Sequence, residues 1–179
     1  MQARTDVIIG GGGIAGLSLA AAIKGALGED ARVTVCDPTF GAFKGTGKAS
    51  AIAAGPRRML ETLGAWGDMA GKAQPILDMI VSDSRTNDPV RPVYLSFAGE
   101  LEPGEPFAHM IMNDELVLSL EAVCRELGVE CLAAGLKDFS VQPGGATAVL
   151  SNGETRIASL VVAADGAHAP LLQRAQELG

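Results

Sequence analysis

The feature that most constrains this chain is a run of four glycines, Gly10 to Gly13, followed by a further glycine at Gly16. Immediately before the run, residues 7–9 are apolar and β-branched, as in a short strand that is buried on both faces. After it, apolar residues at helical spacing predict a helix that ends near Gly28. The glycines therefore form the turn between a buried strand and a helix.

The following segment completes a βαβ unit. Residues 32–37 predict a second strand, and a strand–helix–strand order over about 30 residues indicates parallel strands joined by a right-handed crossover. A helix over 113–127, with Asn113 as its N-cap, precedes another parallel strand at 129–134. We therefore expect an α/β fold, a Rossmann-like domain with a parallel central sheet.

Antiparallel strands are expected beside this sheet. Residues 76–84 and 93–97 predict strands separated by a polar turn, and we expect them to leave the parallel sheet. A second hairpin is predicted around the Pro-Gly-Gly turn at 143–145. Two more strands are predicted at 155–158 and 160–164. Earlier in the chain, Pro56 predicts the start of a two-turn helix that ends at Gly64.

Charge and cysteine content exclude several classes of function. The chain has 14 Lys and Arg against 21 Asp and Glu, so its net charge of −7 repels a nucleic-acid backbone. Its three cysteines form no C-x-x-C pair, which favours a reducing cytoplasm over a disulfide framework. The two histidines are not spaced from each other or from a cysteine as metal ligands are. We expect no metal site, no signal peptide and no transmembrane helix.

The glycine turn carries a nucleotide-binding motif. Residues 11–16 (GGGIAG) match G-x-G-x-x-G, in which Gly11 permits the turn, Gly13 lets a pyrophosphate approach and Gly16 lets helix and strand pack. The helix N-terminus at Ile14 and Ala15 supplies N–H groups to an anion.

An acid follows the motif at the end of the second strand. Asp37 lies 21 residues after Gly16, where a carboxylate can accept a hydrogen bond from a ribose hydroxyl and would repel the 2′-phosphate of NADP. FAD and NAD both remain compatible with this pattern. The alternatives are an ordinary glycine turn and a solvated strand end.

Four segments together resemble a known family. Their order and spacing are similar to those of the class A FAD-dependent aromatic hydroxylases, and within them to the ubiquinone-biosynthesis hydroxylases of the UbiH type. The segments are DVIIGGGGIAGLSLA at 6–20, GKASAIAAGPRRMLETLGAW at 47–66, FAHMIMNDELVLSLEA at 107–122 and LVVAADGAHAPL at 160–171.

The resemblance implies which residues contact FAD. It assigns the glycine motif and Asp37 to the ADP half, places Leu136 beside the adenine, and gives the Asp-Gly pair to FAD and a passing nicotinamide. The implied cofactor-binding residues are Gly11, Gly13, Ile14, Ala15, Gly16, Asp37, Lys48, His109, Leu136, Asp165 and Gly166.

This chain departs from the family pattern at several positions. Lys48 and Asp114 stand where an arginine is common, and Ala169 and Leu172 replace a usual serine and arginine after the Asp-Gly pair. A lysine cannot make the bidentate contact of a guanidinium. Loss of a hydroxyl and a guanidinium after the Asp-Gly pair puts nicotinamide docking in doubt.

The resemblance also implies an activity. An FAD-dependent monooxygenase of this kind hydroxylates a polyprenylated phenol in ubiquinone biosynthesis, using NAD(P)H and O₂, and the flavin rather than an acid or base carries the chemistry. Residues 1–179 would then be an FAD-binding domain, the N-terminal portion of a longer enzyme, with substrate-side strands at about 76–108. The isolated chain would be inactive.

Partners and location follow from the same resemblance. Other subunits of a ubiquinone-biosynthesis complex are implied, as is peripheral contact with the inner membrane through residues outside this chain. Two alternatives stay open: another flavin oxidoreductase of the same fold, and a truncated, non-catalytic module that binds a partner protein.

Overall fold

The computed structural model describes residues 4–42, 45–85, 87–98 and 100–166, together with Leu171 and Arg174. Three α-helices and one 3₁₀ helix occur in this part of the chain. They are α1 (Ile14–Leu27), α2 (Ala54–Thr62), the 3₁₀ helix Gly67–Lys72 and α3 (Asn113–Glu126). The strands are β1 (Arg4–Gly10), β2 (Val33–Cys36), β3 (Ala49–Ala53), β4 (Gln74–Ile76), β5 (Asp78–Ser82), β6 (Val93–Ala98), β7 (Glu100–Glu102), β8 (Glu105–Pro106), β9 (Ala108–Met112), β10 (Glu130–Leu132), β11 (Leu136–Gln142), β12 (Gly145–Leu150) and β13 (Thr155–Ala163).

A six-stranded sheet forms the centre of the fold. Its strand order is β10-β2-β1-β13-β12-β11, and the first four strands are parallel to one another. Strands β12 and β11 continue the sheet in antiparallel fashion. The expected fold class, an α/β domain with a parallel central sheet and additional antiparallel strands, is confirmed.

The main core lies where α1 and α3 pack against each other and against this sheet. Ile9, Leu17, Val35, Leu116 and Leu120 are completely buried there. Full burial stabilises a side chain of this size by about 1.5–3 kcal/mol. A second cluster covers the other face of the sheet around Ile8, Leu136, Leu150 and Leu171.

A smaller antiparallel sheet, in the order β3-β9-β4, stands beside the main one. The starts of two helices differ from the sequence-based expectations. Met112 rather than Asn113 is the N-cap of α3, because the Asn113 side chain instead accepts a hydrogen bond from Ser50 Oγ at 2.6 Å. Helix α2 begins at Ala54, so Pro56 is its third residue rather than its first.

Two strand predictions were wrong in their limits. The strand expected at 76–84 is divided at Leu77, since β4 pairs with β9 whereas β5 pairs with β6 in a separate hairpin. The strands expected at 155–158 and 160–164 are one strand, β13. It stays continuous because β1 pairs along most of its length while β12 pairs with its first half.

The hairpin of β5 and β6 exposes much of its apolar surface. Ile80 and Tyr94 are 64% and 77% exposed, and Met79, Val81, Val93, Leu95 and Phe97 are also classed as exposed. Among the described residues, no helix is long and apolar enough to cross a lipid bilayer.

Candidate functional site

A cavity of about 360 Å³ lies at the carboxyl ends of the parallel strands. Open parallel sheets bind their ligands in this position, outside the strand ends. The residues that line it come from four separate parts of the sequence. They are Gly10, Gly11, Cys36, Asp37, Pro38, Thr39, Gly135, Leu136 and Asp165.

Two glycines of the motif are required by the packing of the loop itself. Gly11 has a φ of +115°, and a Cβ there would lie 2.3 Å from the carbonyl oxygen of Ala164. A Cβ on Gly16 would lie 2.0 Å from the carbonyl oxygen of Gly11. Any side chain at either position would therefore displace the backbone of the turn.

Gly13 differs from both, because a Cβ built on it would meet no atom within 4 Å. Its φ of −79° is also one that any residue can adopt. Nothing within the described chain therefore requires a glycine here. The open space over its backbone leaves room for a ligand to approach closely.

The start of α1 faces the same turn. Gly13 is the N-cap and makes no side-chain hydrogen bond, and the first turn contains no acidic residue. The N–H groups of Ile14, Ala15 and Gly16 belong to the first turn of the helix, where no intrahelical acceptor is available. Together with the positive end of the helix dipole, these groups suit an anion such as a pyrophosphate.

Asp37 lies at the end of β2 and is bonded to the glycine loop. Its Oδ2 accepts a hydrogen bond from the Gly12 N–H at 2.7 Å. Its Oδ1 accepts two more from Thr39, from the backbone N–H at 2.8 Å and from Oγ1 at 2.6 Å. The carboxylate thus joins the loop to the segment that follows β2, at the edge of the cavity.

The Asp-Gly pair lies beside the glycine loop. The Ala164 N–H donates to the carbonyl oxygen of Gly10 at 2.7 Å, which brings Asp165 to the wall of the cavity next to Gly11. Gly166 follows with a φ of +104° and open space where a Cβ would be. The fold thus brings two segments together that are separated by about 150 residues of sequence.

Lys48 and His109 are not among the residues that line this cavity. Lys48 precedes β3, and its carbonyl oxygen accepts a hydrogen bond from the Asn113 N–H at 2.8 Å. His109 lies on β9 with its ring edge-on to Trp66, 5.5 Å between ring centroids. Burial, and secondarily the positive charge of Arg57, lower the pKa of His109.

Asp114 has a definite structural role, although the family pattern has an arginine there. Its Oδ1 accepts hydrogen bonds from the Thr46 N–H at 2.8 Å and from Thr46 Oγ1 at 3.0 Å. These bonds, the backbone one above all, hold the pKa of the carboxyl below its ordinary value of 3.8. The other two departures, Ala169 and Leu172, lie outside the described residues.

Sequence reasoning missed Thr39 as a cavity residue. The signal was present, because an Asp followed two residues later by Thr at the end of a strand is typical of a turn closed by the aspartate side chain.

In the part of the chain that the structure describes, no group of three or more His, Cys, Asp or Glu side chains could hold a metal ion.

Comparison with known proteins agrees with this architecture. The chain is 34% identical over 170 residues to the ubiquinone hydroxylase UbiL of Rhodospirillum rubrum, an alignment that covers 90% of this chain. The predicted resemblance to flavoprotein hydroxylases is confirmed. The chain spans 37% of the length of UbiL. No protein-family model matches the chain.

Solved structures share the fold at low sequence identity. The p-nitrophenol 4-monooxygenase PnpA of Pseudomonas putida superimposes on 98% of this chain with a TM-score of 0.79 and 18% identity, the match covering 44% of PnpA. The flavin-dependent monooxygenase PieE, solved with FAD and substrate, has a TM-score of 0.74 and 18% identity over 97% of this chain and 32% of PieE.

A third structure with this fold is named for a different activity. The Diels-Alderase PyrE3 has a TM-score of 0.74 and 20% identity over 97% of this chain and 35% of its own. The fold therefore accompanies more than one kind of chemistry, so the reaction has to be argued from the site.

Proposed function

We propose that this chain forms the FAD-binding part of a flavin-dependent hydroxylase. The observation that carries the proposal is the open backbone of Gly13 at the start of an uncapped helix, in a loop whose Gly11 lines a cavity together with Asp37 and Asp165. Glycines at 11 and 16 are explained by the packing of the loop, whereas the glycine at 13 is explained by a ligand that approaches it.

The residues present fit FAD. The N–H groups of the first turn of α1 would bind the pyrophosphate, and Asp37 would accept a hydrogen bond from the adenosine ribose. Leu136 would contact the adenine from the far wall of the cavity, and Asp165 with Gly166 would lie along the chain of the cofactor. Bound FAD supplies the oxidation–reduction chemistry, and the polypeptide supplies its binding and orientation.

The proposed roles of Lys48 and His109 are different. Both belong to the segment around the β3-β9-β4 sheet, so a contact with FAD would involve a part of the cofactor beyond the cavity. His109 has a buried Nδ1 with no hydrogen-bond partner among the described atoms, and a polar group of a ligand would satisfy it.

The substrate that we propose is a polyprenylated phenol, with NAD(P)H as the reductant and O₂ as the oxidant. The support is the relative of 34% identity, which is named a ubiquinone hydroxylase. The full enzyme would act in ubiquinone biosynthesis at the cytoplasmic side of the inner membrane, in contact with other subunits of that pathway and peripheral to the bilayer.

The cofactor part of the proposal is tested by the visible absorption spectrum of the purified chain after incubation with FAD and desalting. Retained flavin bands are the expected result. A folded, colourless protein that also fails to quench flavin fluorescence at high protein concentration would contradict FAD binding by this chain.

The oxygenase part is tested on this chain joined to the remaining residues of a full-length ubiquinone hydroxylase, using ¹⁸O₂ and a polyprenylated phenol. Incorporation of one labelled oxygen atom into the product is expected. Oxidation of NAD(P)H with an organic product that lacks the label would instead favour another flavin oxidoreductase of this fold.

One observation favours a second candidate function, a non-catalytic module that binds a partner protein. The β5–β6 hairpin exposes apolar side chains on a scale that is typical of interaction surfaces. Native mass spectrometry of the chain with and without FAD separates the two functions. A flavin-loaded monomer supports the hydroxylase, whereas a flavin-free complex with another subunit supports the module.

A further inference from the structure

We propose that Thr39 limits Asp37 to a single hydrogen bond with the adenosine ribose, so that the carboxylate recognises one ribose hydroxyl rather than two. The inference rests on the proposed function, because it assumes that a nucleotide occupies the cavity. It concerns a residue that neither the glycine motif nor the acid after the second strand includes.

The Asp37 carboxylate has few acceptor positions left for a ligand. A carboxylate has two oxygens and about four lone-pair positions for hydrogen bonds. Asp37 Oδ1 already accepts two bonds, from the Thr39 N–H at 2.8 Å and from Thr39 Oγ1 at 2.6 Å. Oδ2 accepts one, from the Gly12 N–H at 2.7 Å. One position therefore remains, on Oδ2.

A ligand could displace only one of these three bonds. The two backbone bonds are fixed by the conformation of the turn and of the glycine loop. The Thr39 hydroxyl is the exception, because it can rotate. Its 2.6 Å separation from Oδ1 lies in the usual range for a hydroxyl–carboxylate bond, and bonds of this charge-assisted kind are about twice as strong as neutral ones. A ribose hydroxyl would have to replace it on Oδ1.

Thr39 lies where this competition matters. Asp37, Pro38 and Thr39 all line the cavity. Thr39 is exposed, so its hydroxyl is not needed to satisfy a buried group. Its bond to Asp37 occupies the second acceptor position of Oδ1 beside the cavity, so Thr39 is a positioning residue for ribose recognition.

Replacing Thr39 by valine tests the effect of the hydroxyl alone. Thr39→Val keeps the branched shape and the backbone N–H but removes the Oγ1 donor, which frees one lone-pair position on Oδ1. Thr39→Ser keeps the hydroxyl and is the matched control. If the proposal is right, the valine variant can accept both the 2′- and the 3′-hydroxyl of the ribose.

The test is calorimetric titration of three proteins, the wild-type chain and its T39V and T39S variants. Each is titrated with ADP, 2′-deoxy-ADP and 3′-deoxy-ADP. For the wild-type chain and T39S, we expect one deoxy ligand to bind about tenfold more weakly than ADP and the other to bind equally well, as for loss of one hydrogen bond to a charged group. For T39V, we expect both deoxy ligands to bind more weakly than ADP.

Several outcomes would overturn the inference. One is an equal loss of affinity for both deoxy ligands in the wild-type chain. Another is a loss of affinity for only one deoxy ligand in T39V, as in the wild type. Both results would leave nucleotide binding itself intact. Failure of the wild-type chain to bind either ADP or FAD would contradict the proposed function as well. If thermal unfolding shows that T39V is not folded, Thr39→Ala removes the same donor and is expected to give the two-hydroxyl pattern.

Discussion

The glycine-loop end of the six-stranded sheet and the β5–β6 hairpin differ in what their apolar side chains contact. Ile8 and Ile9, next to the loop, are completely buried, whereas Ile80 and Tyr94 in the hairpin are 64% and 77% exposed. Since burial of apolar surface stabilises by about 25 cal/mol per Å², the first region gains its stability within the chain and the hairpin gains little. The apolar side chains at the cofactor end are already covered within the chain, whereas those of the hairpin would gain from a further contact.

The largest expected effect comes from adding a methyl group inside the glycine turn. Gly16→Ala would place a Cβ 2.0 Å from the Gly11 carbonyl oxygen, so we expect a loss of about 4 kcal/mol or more in the free energy of unfolding, or no folded protein. The measurement is urea unfolding followed by circular dichroism.

A glycine in the same helix provides the control for this variant. Gly25 is exposed, and a Cβ on it would meet nothing within 4 Å. Gly25→Ala should raise the stability by about 0.5–1 kcal/mol, because alanine favours the helix. Equal destabilisation by both variants would contradict the close packing of the loop.

The contrast between the core and the hairpin is tested by two truncations. Leu116 is completely buried between α3 and the sheet, so Leu116→Ala should cost about 2–5 kcal/mol. Ile80→Ala removes a side chain that is 64% exposed and should change the stability by no more than about 0.5 kcal/mol. A large loss from the Ile80 variant in the isolated chain would show that the hairpin packs against the rest of the protein.

Gly13→Ala separates ligand binding from folding. Because the added methyl group would meet no protein atom, we expect a loss of stability of no more than about 1 kcal/mol from the less favourable N-cap. The same methyl group would occupy the space over the backbone where a pyrophosphate approaches, so FAD affinity should fall at least about tenfold, which is about 1.4 kcal/mol.

Fluorescence titration of FAD and thermal unfolding measure these two quantities on the same samples of the Gly13 variant. Unchanged FAD affinity would contradict the position that we assign to the pyrophosphate.

The smallest expected effect is the pH dependence at Asp114. Its pKa is lower in the folded chain than its ordinary value of 3.8, chiefly because the Thr46 N–H donates to it. Its stabilising contribution is therefore complete above the ordinary value and is lost as the pH falls through the lower folded-state pKa.

Thermal unfolding of the wild-type chain and of Asp114→Asn between pH 6 and pH 2.5 measures this contribution. The difference in unfolding midpoint should shrink toward the acid end, and a difference that is constant over this range would contradict the assignment.

The sequence predicted the elements whose signals are local. The helix expected to end near Gly28 is α1, which ends at Leu27, and the glycine at 28 has the positive φ of +77° that a helix end favours. Asn113 was misassigned as an N-cap because its partner, Ser50, is 63 residues away in sequence. The division at Leu77 was equally invisible, since it depends on which strand each half pairs with.

The candidate site was predictable to the extent that its motifs are short. The glycine motif and Asp37 could be found from spacing alone, and Leu136 and Asp165 came only through the family resemblance. Thr39 was missed although the Asp-x-Thr spacing indicates a turn closed by the aspartate, because the spacing does not show that Thr39 lines the cavity and donates two hydrogen bonds to one oxygen of Asp37. The FAD-binding roles of all these residues, and of Lys48 and His109, stay predictions.

A ¹⁵N NMR titration of this 18.3 kDa chain with FAD tests most directly whether the cavity lined by Gly11, Asp37 and Asp165 binds FAD. We expect shifts at the amides of residues 11–16, at Thr39 and at Gly166, with little change at Ile80 and Tyr94 in the hairpin. Shifts confined to the hairpin, or none at saturating FAD, would contradict the account.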